Sequence, residues 1–249
     1  IQNLTRSDVQ KFFDTHYVPS NLTVAVVGDV KASEVKRLAQ IYFGRYKAKP
    51  AAPKLQIVEP PQTKTQEVTL KLPTQPSYLE GYHRPAMNHP DNAVYEIIGS
   101  LLSDGRTSRL YKSLVVEKQL ALAAQGFSGY PGEKYPNLML FYAQTAPGRT
   151  VDEVAVALSQ EMEKLKNEPV STEELEQVKT QARAGLLRSL NSNMGMAFSL
   201  LDYQVKTGSW RNLFKQLDAI AKVAPTDIQR VAKATFRPEN KTIGKLLPL

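Results

Sequence analysis

The chain has no cysteine, one tryptophan and three histidines among its 249 residues. Without cysteine there can be no disulfide, no thiol nucleophile and no thiolate metal site. The compartment stays open between cytoplasm and periplasm, since a cysteine-free chain suits both. No apolar run approaches the roughly 20 residues of a membrane span, and no secretory leader is evident. Gly-x-Ser-x-Gly, His-Glu-x-x-His and phosphate-loop patterns are all missing. His83 and His89 flank a strand end and the Pro90 turn, a spacing that places them on no common helical face, and no third ligand is in register. His16 falls at a helix end, where an imidazole interacts with the last carbonyls and the helix dipole. Asp152-Glu153 and Glu173-Glu174 fall in first helical turns, where the dipole accounts for them without chemistry. Read from its own residues, the chain has no recognisable active site.

What is present suits an ordinary globular chain: 42% hydrophobic, 22% charged, and long enough to bury roughly 70–75% of its unfolded surface. The net charge of +8 is unevenly spread. From Lys179 onward 12 Lys and Arg face 4 Asp and Glu, while the preceding residues balance at 20 against 20. Such a basic quarter could attract acidic peptides, nucleic acid or anionic lipid. Its charges are dispersed at helical spacing with no aromatic-interleaved or glycine-rich motif beside them, so a solvated helix face is the reading and no nucleic-acid partner is expected.

A short pattern occurs twice, 219 residues apart. Asp8-Val9-Gln10-Lys11 answers to Asp227-Ile228-Gln229-Arg230, and Tyr17, Pro19, Asn21, Thr23 and Val24 answer to Phe236, Pro238, Asn240, Thr242 and Ile243. Each copy reads as a helix ending in an aromatic, a Pro-x-Asn turn, and a β-rich strand. The expectation is a duplicated protein, with one unit complete here and the other represented by its tail.

Along the chain, Thr5-x-x-Asp8 is a capping box opening a helix to about Tyr17, and Asn21 to Val27 reads as a buried strand. A helix from Ser33 to Phe43 stops at Gly44. The prolines at 50, 53, 60 and 61 then rule out a helix or central strand between Arg45 and Lys64. Glu67–Leu72 alternates as a half-buried strand, with Tyr78–His83 as its expected partner. Apolar stripes predict helices over Asp91–Ser103, Ser108 to about Lys118, from Val151, and past Pro169; strands are expected at Leu120–Ser128 and Leu138–Thr145. Short helices near Met196, Trp210 and Thr226 lead to a last strand near Thr242. Separated runs of strands and helices predict an α+β fold, a mostly antiparallel sheet with helices packed on one face. The expected organisation is a tail over 1–44, a linker over 45–64 and a complete domain over 65–249.

Three stretches resemble the M16 metallopeptidases, the insulinase, pitrilysin and mitochondrial processing peptidase family, and in particular its two-chain bacterial branch. Leu4-Thr5-x-x-Asp8-x-x-x-Phe12-x-x-x-x-Tyr17-x-Pro19-x-Asn21, with Val26-Val27-Gly28-Asp29 and Tyr42-Phe43-Gly44, resembles the end of the family's first domain. His89-Pro90-Asp91, Leu101-Leu102 and Gly105-Arg106-Thr107-Ser108-Arg109-Leu110-Tyr111-Lys112 resemble the opening of the helical layer in its second domain. The repeat matches the family's duplicated halves. The resemblance implies that this chain is the non-zinc half of a zinc peptidase built as a hinged clamshell, its zinc held by an inverted His-x-x-Glu-His and a later Glu upstream of Ile1. No catalytic and no metal-binding residue is expected within the chain itself.

Active relatives place an Arg and a Tyr, seven residues apart, after the Ser-Arg-Leu-Tyr segment. That pattern falls here on Val115 and Leu122, whose side chains cannot donate hydrogen bonds. The implied partners are a peptide substrate and a second M16-like subunit supplying Arg and Tyr. Arg106 and Arg109 are the candidate substrate-binding residues, because Arg can clamp a carboxylate bidentately, while capping and packing offer a structural alternative. A catalytically silent structural subunit is the competing reading of the whole, and a nucleic-acid or lipid binder a third.

Overall fold

The chain is described by a computed structural model covering residues 1–53, 55–56 and 58–249. Lys54 and Ile57, inside the proline-rich stretch, lie outside the described residues. A five-stranded sheet organises the larger part. Its strands are β1 (Gln66–Lys71), β2 (Ser77–Arg84), β3 (Ala121–Tyr130), β4 (Asn137–Thr145) and β5 (Lys241–Leu247). Their spatial order is β1-β5-β2-β4-β3; β1 runs parallel to β5, and the other neighbours are antiparallel.

Local pattern explains the middle of the sheet. On β4, Met139, Phe141 and Ala143 are buried while the alternate residues Leu138, Leu140 and Tyr142 are half-buried, the period of two expected of a strand with one face on a core. The helix α3 (Asn92–Ser103) lays Ala93, Val94, Ile97, Ile98, Leu101 and Leu102 against that core. The helices α4 (Val151–Asn167) and α8 (Pro225–Thr235) add Leu158, Met162 and Leu165 and then Ile228 and Val231. Each of these Val, Leu, Ile and Met side chains contributes about 1.5–3 kcal/mol by leaving water. Phe236, just past α8, meets Tyr82 edge-on at 5.0 Å between ring centres and Phe141 at 6.0 Å, locking the end of the repeat unit onto the sheet. The remaining helices are α5 (Thr172–Ser189), α6 (Asn193–Thr207) and α7 (Asn212–Lys222). The 15 residues of α6 exceed the short helix expected near Met196.

β1 departs from expectation twice. Its neighbour is β5 rather than β2, because the last strand of the chain inserts between them, a non-local pairing that no local periodicity reveals. It is also exposed along its whole length, with Val68 and Leu70 both at 56%, since it forms the sheet's edge.

The amino-terminal part carries α1 (Arg6–His16), the turn Pro19–Asn21 and α2 (Ala32–Phe43). The predicted capping box is present: Asp8 accepts the Thr5 N–H at 2.9 Å and Thr5 Oγ1 accepts the Asp8 N–H at 3.3 Å. Neither helix buries a residue. The buried strand expected over 21–27 does not form: Asn21 closes a 3₁₀ turn, residues 22–27 pair with no described strand, and Val24 and Val26 are 63% and 50% exposed. A strand requires a hydrogen-bonding neighbour, and its counterpart in the repeat, β5, has one on each side.

The repeat itself is reproduced in backbone detail. Tyr17 and Phe236 end their helices at φ/ψ of −91°/64° and −84°/60°. Pro19–Asn21 and Pro238–Asn240 are both single 3₁₀ turns, entered through extended Val18 and Arg237.

Candidate functional site

The segment between α3 and β3 carries both candidate arginines and the two positions of the Arg/Tyr pattern. It leaves α3 through Asp104-Gly105, where Gly105 takes φ +75°, a left-handed value that glycine tolerates without strain. Arg106 follows in this loop, exposed, and makes no hydrogen bond or ion pair among the described residues. Ser108 Oγ then closes the turn by donating to the Gly105 carbonyl at 2.9 Å.

Arg109 is differently placed. Its Nε and Nη2 donate to the two carboxylate oxygens of Glu174 at 2.8 and 2.6 Å, a bidentate pair that ties the segment to the first turn of α5. The guanidinium holds the Glu174 carboxyl below the usual carboxylate range and is itself pushed upward by the same bond. Glu174 also uses its backbone N–H to satisfy the capping Ser171 hydroxyl at 3.2 Å.

The helix expected from Ser108 is present but wound wider over Tyr111–Glu117, as a π-helix with the Lys118 N–H reaching the Ser113 carbonyl at 3.0 Å. Ser113 Oγ inside it is buried without a partner. Gln119 then adopts φ +50°, uncommon for a non-glycine residue, to turn the chain into β3. Val115 is half-buried against the core, and Leu122 stands 50% exposed on β3. The structure thus presents two apolar side chains where the resemblance places an Arg and a Tyr.

The histidines are dispersed. The His16 ring lies 4.3 Å from that of Phe12, His83 Nδ1 is 3.7 Å from Glu59, and His89 Nδ1 accepts the Asp91 N–H at 3.1 Å. Among the described residues no group of three or more His, Cys, Asp or Glu could hold a metal ion. The donors present therefore do not fit a zinc ion.

Two buried charges on β2 and a half-buried acid on α3 escaped the sequence reading. Tyr78, Glu80, Tyr82 and Arg84 alternate along β2 and all are buried. Glu80, 0% exposed, accepts from Tyr78 Oη at 2.8 Å, Tyr82 Oη at 3.0 Å and Lys241 Nζ at 2.8 Å. Burial, reinforced by the Glu80 charge, pushes both phenols upward. Arg84, 2% exposed, donates to Asn92, Ser128 and the Pro85 carbonyl, with its guanidinium 4.7 Å from the centre of the Tyr95 ring. Glu96 accepts from Asn92 Nδ2 and Gln216 Nε2, both at 2.8 Å. The available signal was a charge at i and i+4 on one face of an otherwise aromatic strand, and an acid inside the apolar stripe of α3.

The family model of the peptidase M16 inactive domain matches residues 3–182. The chain belongs to that family. It is 29% identical over 254 residues to the zinc protease PqqE of Helicobacter pylori, covering 100% of this chain and 56% of PqqE. The crystal structure of a protease from Helicobacter pylori superposes with a TM-score of 0.92 at 28% identity, covering 99% of this chain and 60% of the other. The peptidase M16 inactive domain from Pseudomonas fluorescens shares the fold, with a TM-score of 0.82 at 18% identity over 100% of this chain and 58% of that one. The chain thus spans a little over half the length of PqqE. The α+β architecture expected of an M16 half is the one observed, and no helix among the described residues is long and apolar enough to cross a membrane.

Proposed function

We propose that this chain is the C-terminal, non-zinc portion of an M16 zinc metallopeptidase subunit, where it walls the chamber that receives a peptide. The observation that carries this reading is the alignment of the whole chain with just over half of a protein named a zinc protease, through a family described as an inactive domain. In this reading residues 1–44 complete the preceding zinc-bearing domain, 45–64 link, and 65–249 form the second domain. The segment at 22–27, which pairs with no described strand, and the exposed apolar side chains of Phe12, Phe13, Tyr42 and Phe43 support the first of these assignments.

Zinc would be held entirely by the preceding domain, and when bound it activates the water that attacks the peptide carbonyl. This chain's part is shape and contact. Val115 and Leu122 cannot donate to a developing oxyanion, so the Arg and Tyr come from a second M16-like subunit. Arg106 is the residue that meets substrate, while Arg109 holds its loop through Glu174. The work takes place in an aqueous compartment, cytoplasm or periplasm.

The test is hydrolysis of an unstructured fluorogenic peptide by the longer protein, with and without the second subunit. Chelator-sensitive hydrolysis only in the mixture is expected. Absence of hydrolysis in every combination would instead identify a silent structural subunit.

A further inference from the structure

Between α3, β3 and the helices α5 to α7 lies an open recess of about 420 Å³ that the peptidase reading leaves unused. Its walls come from α3, β3, α5, α6 and α7, and it exists because three of them contribute glycine there: Gly99, Gly126 and Gly185. A Cβ at Gly126 would stand 2.4 Å from Ser103 Oγ and 2.8 Å from the Phe141 ring, so β3 can approach α3 this closely only without a side chain. A Cβ at Gly185 would meet only Arg188, at 4.0 Å, so the α5 side is open.

Two acids line this space: Asp104 at its exposed end, which accepts from the Ser100 hydroxyl at 2.6 Å, and Glu96 further in. Both hydrogen-bond donors to Glu96, Asn92 and Gln216, are neutral amides, and no cation among the described residues comes within ion-pair distance of it. Arg84 is spent on Asn92, Ser128, the Pro85 carbonyl and the Tyr95 ring. Burial pushes the Glu96 carboxyl upward and the neighbouring Tyr203 phenol in the same direction, as expected where a charge lacks a compensating partner. Asn92 and Gln216 fix both carboxylate oxygens while leaving lone pairs unused. Ser100 and Ser128 add hydroxyl acceptors to the wall. A recess lined by two acids without a paired cation among the described residues, and by several neutral acceptors, is matched by a compact cation, with Glu96 as the inner of the two acids. It also adjoins an open sheet edge, since β3 is the outermost strand and contributes Gly126 and Ser128 to the lining. An extended peptide added along that edge would bring a terminal or side-chain nitrogen to the recess.

We infer that this cavity binds the cationic nitrogen of a peptide, its amino terminus or a lysine or arginine side chain, with Glu96 as counter-ion. The inference rests on the reading of this chain as the wall of a peptide chamber and gives that wall a second point of contact, within the chain itself.

Calorimetric titration of the 249-residue chain tests it with three probes: Ala-Leu-Ala-Leu amide with a free amino terminus, the same peptide N-acetylated, and N-acetyl-lysine amide. At least one cationic probe should bind at least about tenfold more tightly than the acetylated peptide, the ratio expected of one partly desolvated ion pair. Preference for the free terminus or for lysine identifies which nitrogen is taken. Glu96→Gln should abolish the preference. Gly185→Leu, which fills the recess and leaves the Glu96 hydrogen bonds in place, should abolish binding of the cationic probes while the variant stays folded by circular dichroism. Equal binding of all three probes, or a preference that survives Glu96→Gln, overturns the pocket but not the chamber. Binding of no probe also overturns the pocket, while the chamber is judged separately by hydrolysis with the longer protein.

Discussion

Asn21 and Asn240, 219 residues apart, make the same hydrogen bond: each side-chain amide donates to the carbonyl five residues before it, at 2.9 Å in both copies. Each thereby closes the end of a helix onto the turn that starts the next extended segment. Their surroundings differ. Asn240 also donates to the His83 carbonyl of β2 at 2.9 Å, whereas Asn21 is exposed.

This contrast sets the first expectation. Asn240→Ala leaves two carbonyls without their donor and should cost about 2 kcal/mol, while Asn21→Ala should cost less than about 0.5 kcal/mol. Urea denaturation of the two variants measures both, and equal losses would show that the first copy is as tightly packed as the second.

Gln119 is the strained residue of the segment between the π-helix and β3. A left-handed conformation costs an L-residue roughly 1–2 kcal/mol, against roughly 0.5–1 kcal/mol of extra unfolded-state entropy for glycine. Gln119→Gly should therefore raise stability by about 0.5–1 kcal/mol. A loss in the same denaturation experiment would mean that the side chain carries a contact of its own.

The two arginines should separate cleanly. Arg109→Ala removes a bidentate partner from Glu174 and should destabilise by roughly 1–2 kcal/mol, allowing for partial exposure of the pair. Arg106→Ala should leave the unfolding midpoint unchanged and raise KM in the assembled peptidase. Unchanged kinetics would end the substrate role given to Arg106.

Glu96 makes a signed prediction for pH. Its carboxyl is pushed above its ordinary 4.5, so the folded chain binds protons that the unfolded chain has released. Stability contributed by this group is present at low pH and is lost as pH rises from 4.5 through the raised value. Denaturation midpoints across mildly acidic to neutral pH should fall in the wild type relative to Glu96→Gln. Parallel pH profiles would show that the carboxyl is not perturbed.

Much of the fold was legible where its causes are local. The apolar stripe of α3, the alternation of β4 and the Thr5–Asp8 capping box each lie within a few residues, and each forms as its pattern requires. The place of β5 between β1 and β2 depends on strands far apart in the chain, and the burial expected of Val24 and Val26 depends on neighbours that no described strand supplies. The widening at Tyr111–Glu117 shifts the hydrogen-bond register by one residue, too little for a periodicity to register. At the site, the apolar character of Val115 and Leu122 could be read from sequence, but the capture of Arg109 by Glu174 and the meeting of Glu80 with Lys241 required tertiary structure.

In the proposed reading this chain supplies walls and contacts, and the metal chemistry lies elsewhere in the longer protein. The decisive experiment is elemental analysis of the purified 249-residue chain after equilibration with zinc and gel filtration, alongside an assay of peptide hydrolysis. Zinc should be found far below one ion per chain, and hydrolysis should stay at the buffer rate. One tightly held zinc per chain, with hydrolysis that a chelator abolishes, would contradict that reading.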